Sequence, residues 1–211
     1  MKKIAIFGTS GMATEVGDIA VELDYQPIFV ARDKVELDAW NQPYDVILES
    51  EMNRYHGMPA SIGIGENAVR EKVAKRFAGI LQFENLIHPS ASFGLGQREK
   101  ISSKQGVIVS AGVRFTNNIE VGDFTIFNLN ATISHDVIIE DFVCLAPGAH
   151  ICGNVHLRKR CWIGAGAVVN QGGNEAKIMI GSDTVVGSGS VVVKSCEKNG
   201  VYIGIPARKI K

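Results

Sequence analysis

The sequence predicts two unlike folds in one chain: a small α/β domain with a parallel sheet, followed by an all-β parallel β-helix. Up to about residue 83, short apolar runs alternate with helical stretches, and this alternation favours a small parallel sheet. From residue 109 onward, a large apolar residue returns every six positions. This period is the hexapeptide signature of a parallel β-helix, in which each unit supplies one short strand and a turn.

The first half opens with a strand, a glycine-containing turn and a helix. Residues 3–7, KIAIF, are a short apolar run closed by GTSG, and an amphipathic pattern that suits a helix follows from Met12 to Leu23. Later apolar runs predict further strands, and a charged stretch predicts a second helix. The strands are expected at residues 27–31, 45–48 and 60–65, and the helix at 66–77.

The six-residue period holds for eleven successive positions. They are Val109, Phe115, Val121, Phe127, Ile133, Ile139, Leu145, Ile151, Leu157, Ile163 and Val169. Four places after each of them, from Val113 to Gly173, stands a residue that is small or β-branched in nearly every case. Because one such unit cannot bury its apolar face alone, the units are expected to stack.

Two irregularities mark the limits of this period. It slips across NQGGNEAK and resumes at Ile180, so an excursion loop is expected to leave the coil there. Upstream, IHPSASF indicates a first rung entered at residues 84–88. The boundary is accordingly predicted near residue 83, which gives domains 1–83 and 84–211.

Composition excludes several function classes. Twenty-two basic and 22 acidic residues give no net charge, so no bulk attraction to nucleic acid or to an anionic membrane is expected. The start, MKKIAIFGTSG, has too few apolar residues for a signal peptide, and no later run approaches a membrane span. The four cysteines lack CxxC spacing, which favours reduced thiols and a cytoplasmic location.

The glycine turn after the first strand suits a diphosphate. Gly8 and Gly11 allow the backbone to turn tightly and to approach a ligand, and the helix start offers free N–H groups and a positive dipole. The stretch is not a P-loop and lacks two glycines of GxGxxG. A plain strand-to-helix turn is the alternative interpretation.

His135, in NATISHDVII, is the candidate catalytic residue. It follows the inward Ile133 by two places, so it is expected on the outer wall of the coil. A neutral imidazole accepts the proton that an amine loses on acylation. Asp136 follows directly, and it reaches His135 only if the chain bends at a corner, because neighbouring side chains on a strand face opposite ways. A solvated turn residue is the alternative for Asp136.

These features together resemble the NeuD/PglD-type nucleotide-sugar acetyltransferases. The resemblance rests on the small α/β domain, IHPSA, SHDVIIEDFVCLAPGAHICGNV and the tail GVYIGIPARKIK, and it covers essentially the whole chain. It implies a Rossmann-like nucleotide-sugar-binding domain over 1–83 and a left-handed β-helix over 84–211. It also implies a homotrimer with active sites between subunits, acetyl-CoA as the acetyl donor and no metal. The implied acceptor is the 4-amino group of a UDP-4-amino-4,6-dideoxy sugar, on the way to bacillosamine-type glycans.

The resemblance also implies roles for individual residues. His135 is the general base, Asp136 makes it more basic, and Asn128 lies near the acceptor amine. Gly153 lies 18 residues after His135, one full coil, and its N–H is expected to bind the thioester carbonyl. The implied nucleotide-sugar residues are Gly8, Ser10, Gly11, Met12, Arg32, Asp33, Gly65 and Asn67. The implied CoA-binding residues are Cys144, Gly153, Ala165, Gly187, Ser188 and Arg208.

Other functions stay open at this point. The same fold could O-acetylate sialic acid or another sugar through a hydroxyl acceptor. A metal-dependent or non-catalytic hexapeptide protein is a further alternative, although the histidines and cysteines lack metal-ligand spacing. A covalent mechanism through Cys144, Cys152 or Cys161 is disfavoured, because direct transfer from acetyl-CoA needs no acyl-enzyme.

Overall fold

The computed structural model describes residues 1–173 and 176–211. Its first part contains five strands, β1 Lys2–Phe7, β2 Tyr25–Ala31, β3 Val46–Leu48, β4 Pro59–Ile62 and β5 Gln82–Phe83. The connections hold the helices α1 Gly11–Glu22, α2 Lys34–Asp38 and α3 Asn67–Arg76, and a 3₁₀ helix at Glu49–Arg54. The strands form one parallel sheet in the order β3-β2-β1-β4-β5. The predicted parallel α/β start is confirmed, whereas α2 and the 3₁₀ helix were not predicted.

The strand expected at 60–65 ends earlier than the sequence indicates. β4 stops at Ile62, although the Gly63 N–H still donates to the Phe7 carbonyl at 2.9 Å, and Gly63 lies beside the first turn of α1. A Cβ on Gly63 would lie 2.5 Å from the Ala13 Cα, so only glycine allows this approach. The close contact brings the start of α1 to the end of the central strands.

From Leu86 onward, three sheets wind into a parallel β-helix. The first sheet contains β6 Leu86–Ile87, β8 Ile108–Val109, β11 Ile126–Phe127, β14 Cys144–Leu145, β17 Trp162–Ile163, β20 Val185–Val186, β22 Val201–Gly204 and the antiparallel β23 Ala207–Lys209. The second contains β7 Ser92–Phe93, β9 Arg114–Phe115, β12 Thr132–Ile133, β15 His150–Ile151, β18 Val168–Val169 and β21 Val191–Val192. The third contains β10 Glu120–Val121, β13 Ile138–Ile139, β16 Val155–Leu157 and β19 Ile178–Ile180.

A short helix replaces one strand of the first coil. α4 spans Gln97–Ser102 between β7 and β8, and the sequence did not predict it. The buried Gln97 side chain donates to the Ile119 carbonyl (3.0 Å) and accepts from the Ile119 N–H (2.9 Å). The side-chain amide thus supplies the hydrogen bonds that a strand would have made, and the open end of the coil is closed.

The hexapeptide residues form the core of the coil. All eleven large apolar positions are buried, and strands pair in parallel at an offset of 18 residues, as Thr132 does with His150. The corners repeat with the same period, because Asn118, Asn130, Asp136 and other residues at this position have positive φ angles. The last predicted small position, Gly173, is exposed rather than buried. The chain has left the coil there, in the predicted excursion.

The two parts of the chain share their apolar cores. Ile4, Ile6 and the inner face of α1 pack with Leu86, Ile108 and Cys144 of the first sheet. The last strand of the α/β sheet ends at Phe83, and the coil begins at Leu86. The α/β part is therefore held against one wall of the β-helix, with the start of α1 close to it.

Arg70 of α3 locks this packing. It is fully buried, and its guanidinium donates to the carbonyls of Ile64 (2.8 Å) and Gly65 (3.0 Å) in its own domain. It also donates to the carbonyls of Phe124 and Phe142 in the β-helix, each at 2.9 Å. Burial lowers the pKa of Arg70 to about 10, which leaves the group charged at neutral pH.

Candidate active site

His135 and Asp136 form a hydrogen-bonded pair on the outer wall. His135 follows β12 with a side chain that is 53% exposed, and its Nδ1 lies 2.7 Å from Asp136 Oδ2. Asp136 has a φ of 60°, the left-handed conformation that a short polar residue tolerates. The chain bends at this corner, so the side chains of His135 and Asp136 lie on the same side and meet. This is the bend that their contact was expected to need.

Gly153 lies directly beneath the imidazole. A Cβ at this position would lie 2.6 Å from His135 Cε1 and 2.7 Å from Nε2, so any larger residue would displace the ring. Within residues 1–173 and 176–211, the Gly153 N–H has no backbone acceptor. The imidazole edge that carries Cε1 and Nε2 thus lies against Gly153.

Asn128 lies at another corner, against the α/β domain. Its side chain is mostly buried at the end of β11, where its Oδ1 accepts from the Leu129 N–H at 2.7 Å. Its Nδ2 lies 3.7 Å from the Met12 sulfur. The structure thus brings together Asn128 and the glycine loop, whereas His135 follows a strand of the neighbouring sheet.

The loop before α1 has the geometry of an anion site. Ser10 is the N-cap residue of α1, and its hydroxyl makes no capping bond. A Cβ on Gly11 would meet nothing within 4 Å, whereas Gly8 has a φ of 112° and lies close to Gly63. The first N–H groups of α1 can therefore receive a phosphate.

A cavity of about 320 Å³ adjoins this loop. Ser10 and Gly11 line one side, and Trp40 with Asn41 and Gln42 lines the other. Trp40 is partly exposed, and its ring lies 4.5 Å from that of Phe29, so it is held in place beside the cavity. Sequence reasoning missed Trp40, although an aromatic residue after the second strand is a visible signal for a base-stacking surface.

The side chains of Arg32 and Asp33 bond to each other and to Glu36 at the start of α2. Asp33 is the N-cap of α2 and accepts from the Glu36 N–H at 3.0 Å, and Arg32 Nε lies 3.1 Å from its carboxylate. The Glu36 N–H and Arg32 lower the pKa of Asp33. These residues form the start of the helix beside the cavity, with the Arg32 side chain directed to Asp33 and Glu36.

Two implied ligand contacts need correction. Asn67 is buried and donates to the carbonyls of Arg160 (2.8 Å) and Cys161 (3.1 Å), so its amide serves the domain interface. Cys144 is 2% exposed beneath the α/β domain, and burial raises its thiol pKa to about 11. Neither side chain is free to contact a nucleotide sugar or CoA. The carbonyl of Gly65 is also engaged, because it accepts a hydrogen bond from Arg70.

Cys144 and Cys161 are both unsuited to act as the nucleophile of a covalent mechanism. Besides Cys144, the Cys161 side chain is fully buried in the coil, and burial raises its pKa well above the ordinary value. A nucleophilic cysteine needs an accessible thiolate. Buried neutral thiols at these positions serve packing instead.

The other implied CoA residues lie near the C-terminal end of the coil. Ala165 and Ser188 are exposed on successive coils, where Gly189 N–H donates to the Ala165 carbonyl at 2.8 Å. The Gly187 N–H is already bonded to the Tyr202 carbonyl (2.8 Å). Arg208 is exposed on the β22–β23 hairpin. Ala165, Ser188 and Arg208 are therefore exposed at this end of the coil, while the backbone groups of Ala165 and Gly187 bond to neighbouring strands.

Among the described residues, no three His, Cys, Asp or Glu side chains are grouped so that they could hold a metal ion. In the same part of the chain, every helix is too short or too polar to cross a bilayer.

Comparison with known proteins links both parts of the chain to sugar acetyltransferases. Residues 3–77 match the family model of the PglD N-terminal domain. A GDP-perosamine N-acetyltransferase of Escherichia coli O157:H7 is 37% identical over 106 residues, which is 50% of this chain and 48% of that protein. The chain thus spans about half the length of the curated relatives it matches.

Solved structures match over the whole length. WeeI from Acinetobacter baumannii AYE superposes with a TM-score of 0.86 at 25% identity, covering 100% of both chains. PerB from Caulobacter crescentus, solved in complex with CoA and GDP-perosamine, has a TM-score of 0.84 at 26% identity, covering 100% of this chain and 98% of that one.

The fold and the site define a class of protein. It is a left-handed β-helix of hexapeptide repeats, of the acyltransferase type, with a small parallel α/β domain packed against it and an exposed histidine–carboxylate pair on its outer wall. The family model and the full-length structural matches agree on one assignment within that class. Residues 3–77 belong to the PglD N-terminal domain family, and the whole chain resembles sugar acetyltransferases of the NeuD/PglD type.

Proposed function

We propose that this protein transfers the acetyl group of acetyl-CoA to the amine of a nucleotide-linked amino sugar. The observation that carries the proposal is the hydrogen-bonded His135–Asp136 pair above Gly153, in a chain whose helix α1 also begins at an uncapped glycine-containing loop. A relative with this activity in its name, the GDP-perosamine enzyme, supports the choice of an amine acceptor. We further propose a cytoplasmic location, which the four free cysteines support.

The chemistry follows from the contacts of His135. Its Nδ1 is bonded to Asp136, so Nε2 is the nitrogen that accepts the proton of the attacking amine. The new C–N bond forms as the C–S bond of the thioester breaks, and the sulfur leaves as the CoA thiol with that proton. The Gly153 N–H stabilises the negative charge that develops on the carbonyl oxygen. Asp136 holds the ring and stabilises its protonated form.

The proposed acceptor is a UDP-4-amino-4,6-dideoxy sugar. Its diphosphate binds the first N–H groups of α1, and its base occupies the cavity beside Trp40. The family resemblance of the loops supports uridine. A second candidate is GDP-perosamine, which the names of two relatives favour.

Release of the CoA thiol distinguishes these acceptors. With acetyl-CoA, we expect kcat/KM for UDP-4-amino-4,6-dideoxy-N-acetylglucosamine to exceed that for GDP-perosamine by at least about tenfold. The reverse ratio would replace uridine by guanosine in the proposal. Release with sialic acid, but with neither amine, would favour O-acetylation and contradict the proposed reaction. The variant Gly11→Glu is the control. Its side chain meets no neighbouring atom but repels a diphosphate, so it should release CoA with neither nucleotide sugar.

We also propose that the active protein is a homotrimer with shared sites. In one chain, the α1 loop contacts Asn128 at the first sheet, while His135 follows a strand of the second sheet. A nucleotide sugar held at the loop therefore reaches a histidine most directly on a neighbouring subunit. Closed threefold symmetry would give each loop such a neighbour.

Co-expression of two inactive variants tests this arrangement. Gly11→Glu removes the nucleotide site and His135→Ala removes the base, so neither homotrimer should transfer acetyl groups. Each hybrid trimer has one of its three interfaces with both an intact loop and an intact histidine, so isolated hybrids are expected to recover about one third of wild-type activity and an equal random mixture about one quarter. Hybrids of confirmed trimeric mass that recover nothing would place both elements in one subunit.

A further inference from the structure

The Asp136 carboxylate is held from two sides. Its Oδ2 is bonded to His135 Nδ1 at 2.7 Å, and its Oδ1 accepts a hydrogen bond from Asn118 Nδ2 at 2.6 Å. Asn118 lies one coil before Asp136, and both have left-handed backbones, with φ angles of 55° and 60°. Because the two corners repeat the same geometry 18 residues apart, their side chains stack and meet. The Asn118 amide thus fixes the oxygen that His135 leaves free.

The backbone of the same corner is also fixed. The Asp136 N–H donates to the Asn117 carbonyl at 3.2 Å, and the His135 carbonyl accepts from the Asn154 N–H at 3.0 Å. Lys177, at the end of the excursion, donates to the Asp136 carbonyl at 2.5 Å and to Asn154 Oδ1 at 2.9 Å. The peptide groups around the pair are therefore bonded to neighbouring coils on both sides.

Such support matters because the pair is exposed. The side chains of His135 and Asp136 are 53% and 46% exposed, and little packing limits their rotation. A hydrogen bond to a charged group is stronger than one between neutral groups, so the Asn118 amide restrains the carboxylate together with His135. Asn118 is also the first cause of the lowered pKa of Asp136, followed by His135. The carboxylate consequently stays ionised and acts as an acceptor.

We propose that Asn118 is a positioning residue for acetyl transfer. By fixing Asp136, it holds the proton of the neutral His135 on Nδ1 and leaves Nε2 as the base, above Gly153. An amide is required at this position, because it donates to the carboxylate, whereas a second carboxylate would repel it. The inference rests on the proposed function and adds a third member to its catalytic pair.

Two substitutions of Asn118 separate positioning from folding. Asn118→Gly keeps the left-handed turn and removes the donor. Asn118→Asp keeps the shape and adds a negative charge beside Asp136. In both, kcat for CoA release is expected to fall roughly tenfold with KM within about twofold of wild type. In Asn118→Asp, the pH of half-maximal kcat should also rise by roughly half a unit, because the added charge favours the protonated imidazole.

The matched controls use another corner asparagine. Asn199 is exposed and has a φ of 58°, so Asn199→Gly and Asn199→Asp test the backbone change alone and should leave kcat and its pH dependence unchanged. A purely structural role of Asn118 would lower the melting temperature without moving the pH profile. Unchanged kcat in both Asn118 variants, or an unmoved pH profile in Asn118→Asp, would overturn the proposal.

A readout without turnover keeps this inference separate from the proposed function. The ¹⁵N shifts of the His135 ring report which nitrogen carries the proton of the neutral form. The wild type is expected to show Nδ1–H, and Asn118→Gly a mixture of both forms. If the wild type releases no CoA with any amine, the proposed reaction fails, but the ring shifts still decide the role of Asn118. An unchanged Nδ1–H form in Asn118→Gly would contradict it.

Discussion

Replacing His135 by alanine is expected to lower kcat for acetyl transfer by about a thousandfold. The imidazole is the exposed base at the proposed site, with Nδ1 committed to Asp136 and the ring lying over Gly153. Without it, the attacking amine loses its proton only to water. The change is at an exposed corner, so the melting temperature and the binding of acetyl-CoA should stay close to those of the wild type. CoA thiol release and a thermal-shift titration with acetyl-CoA measure the two quantities.

His56→Ala is the control for this variant. His56 is exposed in the α/β domain, so its loss removes a histidine without touching the proposed site, and kcat should be unchanged. Activity that survives in His135→Ala would remove this residue from the mechanism. A loss of acetyl-CoA binding together with activity would indicate that the imidazole serves binding rather than proton transfer.

Replacing Arg70 by methionine is expected to lower the free energy of unfolding by about 4 kcal/mol. Methionine fills much of the same volume but donates no hydrogen bond, so the carbonyls of Phe124, Phe142 and Ile64 would be left buried without their partner. Because these carbonyls belong to both parts of the chain, the α/β domain should also separate from the β-helix more easily. Urea unfolding at pH 7, followed by circular dichroism, measures the loss.

Arg54→Met is the matched control, since Arg54 is exposed on the 3₁₀ helix of the same domain. Its effect should stay within about 0.5 kcal/mol. If Arg70→Met unfolded with the free energy of the wild type, the buried guanidinium would contribute no net stability. Its hydrogen bonds would then only offset the cost of burying the charge.

The coil could be predicted from the sequence because its rule is local. A large residue every six positions and a small one four places later require only that each unit stacks on the next, and the structure buries all of the large ones. The prediction failed where the rule breaks. α4 replaces a strand in a coil that the period does not reach, and Gly173 is exposed because the chain has already left the core.

The residues of the candidate site that follow the regular spacing could also be predicted, whereas those covered by distant parts of the chain could not. His135, Asp136 and Gly153 lie 1 and 18 residues apart, and a regular coil turns that spacing into contact. Asn67 and Cys144 were expected to meet ligands, but distant parts of the chain cover them. No local pattern reports that a side chain lies beneath another domain.

The two folds, the outward direction of His135 and the corner spacing could be predicted from the residues alone, because each depends on a short repeating distance along the chain. Which side chains serve the domain interface and which face solvent depends on how the folded domains pack. In the sequence, Arg70 is one of several charged residues of a helix, and nothing nearby indicates that it is buried. Its burial depends on carbonyls 54 and 72 residues away. Hydrogen-bond partners that are distant in sequence meet only after the chain has folded, and the free energy of burying a charge is settled by those partners.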